Sequence, residues 1–177
     1  MSSNDTPRLR CAPVTPPLRI VLVEPEIPQN TGNIGRLSAA TQSPLHLVGR
    51  LGFRIDEHAV RRAGLDYWHL VELTQHLTLD HFVHAHPSAR LRLFSATAER
   101  SYLDAGFQPG DALVFGKESV GLAPDILERY PDDVFGIPTA GPVRSLNLAN
   151  AVGIVLYEAM RQTGTLSSTW RGDDARR

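Results

Sequence analysis

Short apolar runs rich in Val, Leu and Phe punctuate the chain, with helix-like stretches between them. The first, "RIVLVE" (residues 19–24), is short, β-branched and apolar, the mark of a strand buried in a sheet. "LHLVG" (45–49), "RLRLFSA" (90–96), "ALVFG" (112–116) and "VFGIP" (134–138) read as strands too, and "HLVEL" (69–73) as a further one. Helices are expected from about Thr31, over "DEHAVRRAG" (56–64), over "TQHLTLDHFVHAH" (74–86) until Pro87, and over "APDILERY" (123–130). A closing helix starts at Leu148, where apolar residues recur at Val152, Val155, Leu156 and Ala159, and Gly164 stops it. Strands alternating with helices across short loops imply an α/β domain on a mainly parallel sheet.

At 177 residues the chain is most simply one domain with a sizeable core. Residues 18–163 form that domain. Residues 1–17, polar and proline-rich, and 164–177, polar and charged, are expected to be flexible tails. The net charge of -1 gives no global attraction to nucleic acid, so RNA binding would need a local patch. Arginine supplies all basic residues but Lys117, a skew that codon bias explains as well as RNA contact does. A single cysteine, Cys11, excludes an internal disulfide and a multi-cysteine zinc site. No run reaches the about 18 apolar residues that a membrane span needs, and the chain reads as cytoplasmic.

Three stretches after strands hold more polar and glycine residues than a plain connection requires. "EPEIPQNTGNIGRLSAAT" (24–41) carries Asn30, Gly32, Gly35 and Arg36. Its glycines serve either close packing or close approach of a ligand, and Arg36, expected in the first helical turns, is either a surface residue or a phosphate contact. "FGKESVGL" (115–122) places Glu118 between Gly116 and Gly121; this carboxylate either caps the next helix or serves a site. "IPTAGPVRSLNLANAVGIVLYEAMRQ" (137–162) brings Arg144, Ser145 and Asn147 just ahead of the closing helix. Ser145 or Asn147 would suffice as its N-cap, so the others are surplus to capping. In an open parallel sheet, ligands bind beyond the carboxyl ends of the strands, where all three lie.

Neither a dinucleotide fingerprint nor a Walker A loop is present. His81, His84 and His86 do not share one helix face, so no metal site is expected.

Together and in this order, the three stretches resemble the SPOUT class of RNA methyltransferases, and "RRAGLDYW" (61–68) resembles their TrmL-type subfamily. The resemblance covers about residues 19 to 162. It implies a parallel sheet with a C-terminal trefoil knot, a homodimer, and S-adenosylmethionine as cofactor, released as S-adenosylhomocysteine, with no metal. It implies methylation of the ribose 2′-oxygen of the tRNA wobble nucleotide, C or U. Arg36, Asn30, Glu118, Ser145 and Asn147 would be catalytic. Ala96, Thr97, Gly116, Ile137, Ser145 and Leu146 would hold the cofactor, and an arginine patch of Arg19, Arg61, Arg62 and Arg144 would bind RNA. Methylation of rRNA or of another tRNA position, and a non-catalytic RNA-binding module of the same fold, remain open alternatives.

Overall fold

A computed structural model of the protein describes residues 8–53 and 67–171. Its main sheet has six strands in the order β4-β3-β2-β6-β5-β7: β2 (Arg19–Val23), β3 (Leu45–Val48), β4 (Leu73–His76), β5 (Leu91–Phe94), β6 (Ala112–Phe115) and β7 (Val134–Phe135). Every pairing in it is parallel. The helices are α1 (Pro28–Thr41), α2 (Leu79–Ala85), α3 (Pro124–Arg129) and α4 (Leu148–Gln162).

Alternation along the strands builds a core on each side. Ile20 and Leu22 of β2 join Leu45, Leu47, Leu113 and Phe115 beneath Ile34 of α1 and Val152, Val155 and Leu156 of α4. Val21 points the other way, with Val48, Leu93 and Val114, beneath Leu79 and Phe82 of α2. Burying such a side chain fully stabilises the fold by about 1.5–3 kcal/mol, so strands apolar on both faces are what a covered sheet demands.

From β2 the chain runs outward to β3 and β4, crosses to β5 on the other side of the sheet, and comes back with β6 between β5 and β2. Connections leaving β2 and β6 therefore diverge, and a crevice opens beyond their carboxyl ends. Glu24, directly after β2, has φ 50°, a left-handed value that a residue with a side chain seldom adopts.

Several expectations need correction. The segment read as strand 69–73 begins instead as a 3-10 turn (Trp68–Leu70), and β4 starts at Leu73. α2 consequently begins at Leu79, where Thr78 caps it by accepting a hydrogen bond from the His81 backbone N–H. The expected tails are partly ordered: β1 (Leu9–Cys11) pairs antiparallel with β8 (Thr169–Arg171). Val14 is buried, with Cys11 packed against the same core. The helix expected over 56–64 lies outside the described residues.

Candidate active site

Hydrogen bonds join the three polar stretches at the carboxyl edge of the sheet. Glu118, in the loop after β6, accepts from the backbone N–H of Glu26 (2.8 Å) and of Ile27 (3.2 Å), both in the turn after β2. It also accepts from Asn30 Nδ2 at 3.0 Å. Asn30, buried in the first turn of α1, accepts in turn from Asn147 Nδ2 at 3.0 Å. Asn147 is the N-cap of α4, its Oδ1 accepting from the N–H groups of Ala149 (2.9 Å) and Asn150 (3.3 Å). Such a cap stabilises a helix by about 0.5–2 kcal/mol. Asn147 thus fills both roles, capping α4 and reaching the opening turn. Glu118 does not cap α3, whose N-cap is Ala123.

Two further contacts tie the same loops. Lys117 Nζ donates to Glu24 Oε2 at 2.8 Å, and the hydrogen bond to Glu24 raises the Lys117 pKa above its ordinary value. The Ser119 N–H donates to Glu26 Oε2 at 2.9 Å, and hydrogen bonds from Ser119 hold the Glu26 carboxyl below its usual range. At the rim, Arg144 donates to the Ser119 carbonyl at 3.3 Å.

Gly116 is fixed by space: a Cβ there would stand 2.1 Å from the Gly121 carbonyl carbon and from the Leu122 nitrogen. After β5, Ser95 accepts from the Thr97 N–H at 3.2 Å, forming a tight turn that exposes Ala96 and Thr97. Ile137 follows β7, and Leu146 precedes α4; both are half-buried, while Ser145 is exposed. Ala96, Thr97, Gly116 and Ile137 therefore follow the ends of neighbouring strands, the edge where Ser145 and Leu146 lead into the Asn147 cap.

Arg36 is placed differently. It lies past the middle of α1, in the third turn and not in the first turns expected from the sequence, where the helix-end charge no longer reaches. Six residues separate it from Asn30, about 9 Å along the axis and about 120° around it. Its guanidinium lies 4.3 Å over the Tyr67 ring, whose hydroxyl donates to the Gly32 carbonyl at 2.7 Å. Trp68 packs so closely on α1 that a Cβ at Gly35 would meet its Cζ3 at 2.6 Å. Glycine at 35 is therefore a packing requirement. Within one chain, Arg36 sits on a different face of α1 from Asn30, about two turns further along.

Arg19 also departs from the expected patch. It opens β2 at the opposite edge of the sheet, with its guanidinium donating to the Gly110 carbonyl at 3.0 Å and the Pro17 carbonyl at 3.4 Å. Arg61 and Arg62 lie outside the described residues.

The sequence matches the model of the SpoU rRNA Methylase family over residues 17–157. The chain belongs to the SpoU methylase family. It is 46% identical over 148 residues to a tRNA (cytidine(34)-2′-O)-methyltransferase of Burkholderia pseudomallei, covering 82% of this chain and 95% of that one. Among solved structures, one described as giving insight into the 2-OH methylation of C/U34 on tRNA superimposes with a TM-score of 0.77 at 50% identity, covering 82% of this chain and 95% of that chain. An AdoMet-bound rRNA methyltransferase from Sinorhizobium meliloti gives 0.69 at 26% identity, covering 81% and 56%.

In this SpoU methylase, sequence reasoning missed Glu24, Glu26 and Tyr67 as members of the loop framework. The first two stand in the quoted turn, but nothing in its spacing names their partners in the loop after β6. It also missed a histidine cluster away from the crevice. His46, His76 and His86 come from β3, β4 and the end of α2, so no spacing in the sequence announces them. The expectation of no metal site, drawn from His81, His84 and His86 alone, did not consider this grouping.

Proposed function

We propose that the protein transfers the methyl group of S-adenosylmethionine to the ribose 2′-hydroxyl of the tRNA wobble nucleotide, a cytidine or uridine at position 34. One observation carries the reading: Glu118, Asn30 and Asn147 lock three loops together at the carboxyl edge of the sheet, in a chain that matches a tRNA (cytidine(34)-2′-O)-methyltransferase over 82% of its own length and 95% of the relative's.

The residues at this edge fit the cofactor. Gly116 lets the backbone of Gly121 and Leu122 close against it and so shapes the loop after β6, and half-buried Ile137 and Leu146 offer apolar walls for an adenine ring. The backbone of 139–145 is exposed and so accessible to a ligand. Ala96, Thr97, Gly116, Ile137, Ser145 and Leu146 would hold S-adenosylmethionine, which supplies an activated sulfonium methyl group and leaves as S-adenosylhomocysteine. No metal takes part in the transfer.

With the donor already activated, positioning supplies much of the acceleration, up to about 7–11 kcal/mol for well-oriented reactants. Asn30 and Glu118 keep the loop walls in register, and Ser145 and Asn147 frame the ribose. Arg36 holds the adjacent phosphate and polarises the 2′-hydroxyl. An arginine guanidinium stays charged in proteins, so the proton leaves to solvent or phosphate rather than to Arg36.

The protein is read as a homodimer in which each site draws Arg36 from the partner subunit, in keeping with the different faces of α1 that Arg36 and Asn30 occupy. Ile154 and Tyr157 on α4, 39% and 48% accessible respectively, offer apolar surface for that contact. The C-terminal region is read as a trefoil knot. Supporting it, the end of β7 is gripped by the loop after β5: Ser95 N–H donates to Phe135 O (3.0 Å), Gly136 N–H to Arg100 O (2.8 Å) and Tyr102 N–H to Gly136 O (2.9 Å). Arg144 and Arg36, with Arg61 and Arg62, would contact tRNA, so binding weakens as salt rises. Among the described residues no helix is long and apolar enough to cross a membrane. The proposed place of work is the cytoplasm.

Methyl transfer from labelled S-adenosylmethionine to bacterial tRNA, with the modified nucleotide mapped, tests the proposal. Label at the wobble 2′-oxygen that disappears in Arg36→Ala is expected. Transfer to rRNA alone would reassign the acceptor, and absence of cofactor binding would leave a non-catalytic RNA-binding module.

A further inference from the structure

On the sheet face opposite α1 and α4, three imidazoles meet. β3 and β4 pair in register with His46 opposite Thr74 and Val48 opposite His76. His46 and His76 are therefore diagonal neighbours on one face. α2 then runs back over them and ends at His86, its C-cap. Phe82 of α2 forms an apolar floor, its ring 5.0 Å from that of His46, 5.3 Å from His76 and 4.8 Å from His86. His46 and His76 are buried and His86 is half-buried.

His46 Nδ1 and His76 Nε2 lie 3.1 Å apart. The other nitrogens of these two rings, His46 Nε2 and His76 Nδ1, are buried without a hydrogen-bond partner. Two neutral rings carry two N–H groups between them. If one bridges the pair, the second sits at an outer nitrogen with no acceptor, whichever tautomers are chosen. If neither bridges, either two lone pairs or two N–H groups face each other. The tautomer with a lone pair on each facing nitrogen, and each N–H on the outer one, is the form in which both rings can share a metal ion.

We propose that His46, His76 and His86 bind a zinc(II) ion. One nitrogen from each ring can be chosen so that all three lie within 4.8 Å of one another. Tetrahedral zinc with Zn–N bonds of about 2.0–2.1 Å needs its ligand nitrogens about 3.4 Å apart. The His46–His76 pair is already near that spacing, and the half-buried His86 ring closes the remainder by rotating. Water takes the fourth position. Burial first, then neighbouring His86, His76 and Arg19, push the His46 pKa down to about 3, and burial lowers His76 and His86 too, so all three rings are neutral near pH 7 and offer lone pairs. The Arg19 charge opposes any cation here, which selects an ion with strong preference for imidazole over magnesium or calcium. The ion pins edge strand β4 to β3 and α2, away from the methyl-transfer crevice, and takes no part in that reaction.

The test uses the full chain freed of any histidine tag, stripped with a chelator and then given zinc. Gel filtration followed by metal analysis is expected to find one zinc per chain in the wild type and in His84→Ala, and none in His86→Ala. Zinc at about 100-fold above its dissociation constant is expected to raise Tm by about 5–10 °C in the first two proteins only. Cobalt(II) added instead is expected to give the intense visible absorption of a tetrahedral nitrogen site. Failure of the stripped wild type to take up zinc overturns the proposal, as does equal uptake by a folded His86→Ala. Should His86→Ala lose its fold, wild-type uptake and the cobalt spectrum decide alone. Methyl transfer is read separately and is expected to proceed in the stripped enzyme.

Discussion

Asn30→Asp alters one atom of the loop framework and almost no volume. The introduced oxygen would replace Asn30 Nδ2, which donates to Glu118 Oε1 at 3.0 Å. Two carboxylates at that distance repel by about 5.5 kcal/mol at an effective dielectric of about 20, from 332/(20 × 3.0). The alternative is to hold the new carboxyl protonated, which costs about 1.36 kcal/mol for each pH unit above its unfolded pKa of about 3.9. At about pH 7 that amounts to about 4.2 kcal/mol, less than the repulsion, so protonation sets the upper limit. Glu118 is half-buried, and solvent screening trims the repulsion, so a destabilisation of about 3–4 kcal/mol is expected there. At about pH 5 the same calculation gives about 1.5 kcal/mol.

The sign follows from linkage. The introduced group has a folded-state pKa raised above its unfolded value, so the folded protein binds more protons. The penalty therefore shrinks as pH falls toward 4 and grows as pH rises toward the folded pKa. Urea unfolding of wild type and Asn30→Asp at about pH 5 and about pH 7 measures both values. A difference under about 1 kcal/mol, equal at the two pH values, would refute the claim that Asn30 and Glu118 are directly coupled.

Two further outcomes are expected. Gly116→Ala drives a Cβ to 2.1 Å from the backbone of Gly121 and Leu122, so the loop must open; S-adenosylmethionine affinity by calorimetry is expected to fall by at least about tenfold, with about 1–3 kcal/mol lost in urea unfolding. Tyr67→Phe keeps the ring beneath Arg36 and loses the hydroxyl with its hydrogen bond to Gly32, whereas Tyr67→Ala removes the support; kcat/KM is expected to fall by a further about two- to fivefold in the alanine variant, the equivalent of about 0.5–1 kcal/mol.

The strands were legible because their burial is written into composition: β2, β3, β5 and β6 carry apolar residues on both faces. The boundary of α2 was not. Periodicity alone cannot separate β4 from the helix that follows, and Thr78, which caps that helix, reads as one more polar residue in "TQHLTLDH". Pairing of β1 with β8 was equally hidden, because both segments are short and polar and each needs the other to be a strand. At the site, the sequence revealed which loops are over-specified and which residues they contribute. It could not show that Glu118 serves the turn after β2 rather than α3, nor that Arg36 rests on Tyr67, since both depend on contacts far along the chain. The histidine cluster failed for the same reason: His46 and His76 become neighbours only through strand register.

Asn147 illustrates how such a site evolves. One amide both starts α4 and fastens the third loop to Asn30. Drift at this position is penalised twice, by a weakened helix and by a loosened loop, so neither trait can be tuned while the other is held constant. A homologue that replaced Asn147 would need a new cap and a new fastener in the same step. Loss of activity on mutating Asn147 is accordingly expected to travel with loss of folded protein, and the two become separable only when a second substitution restores the cap of α4 by other means.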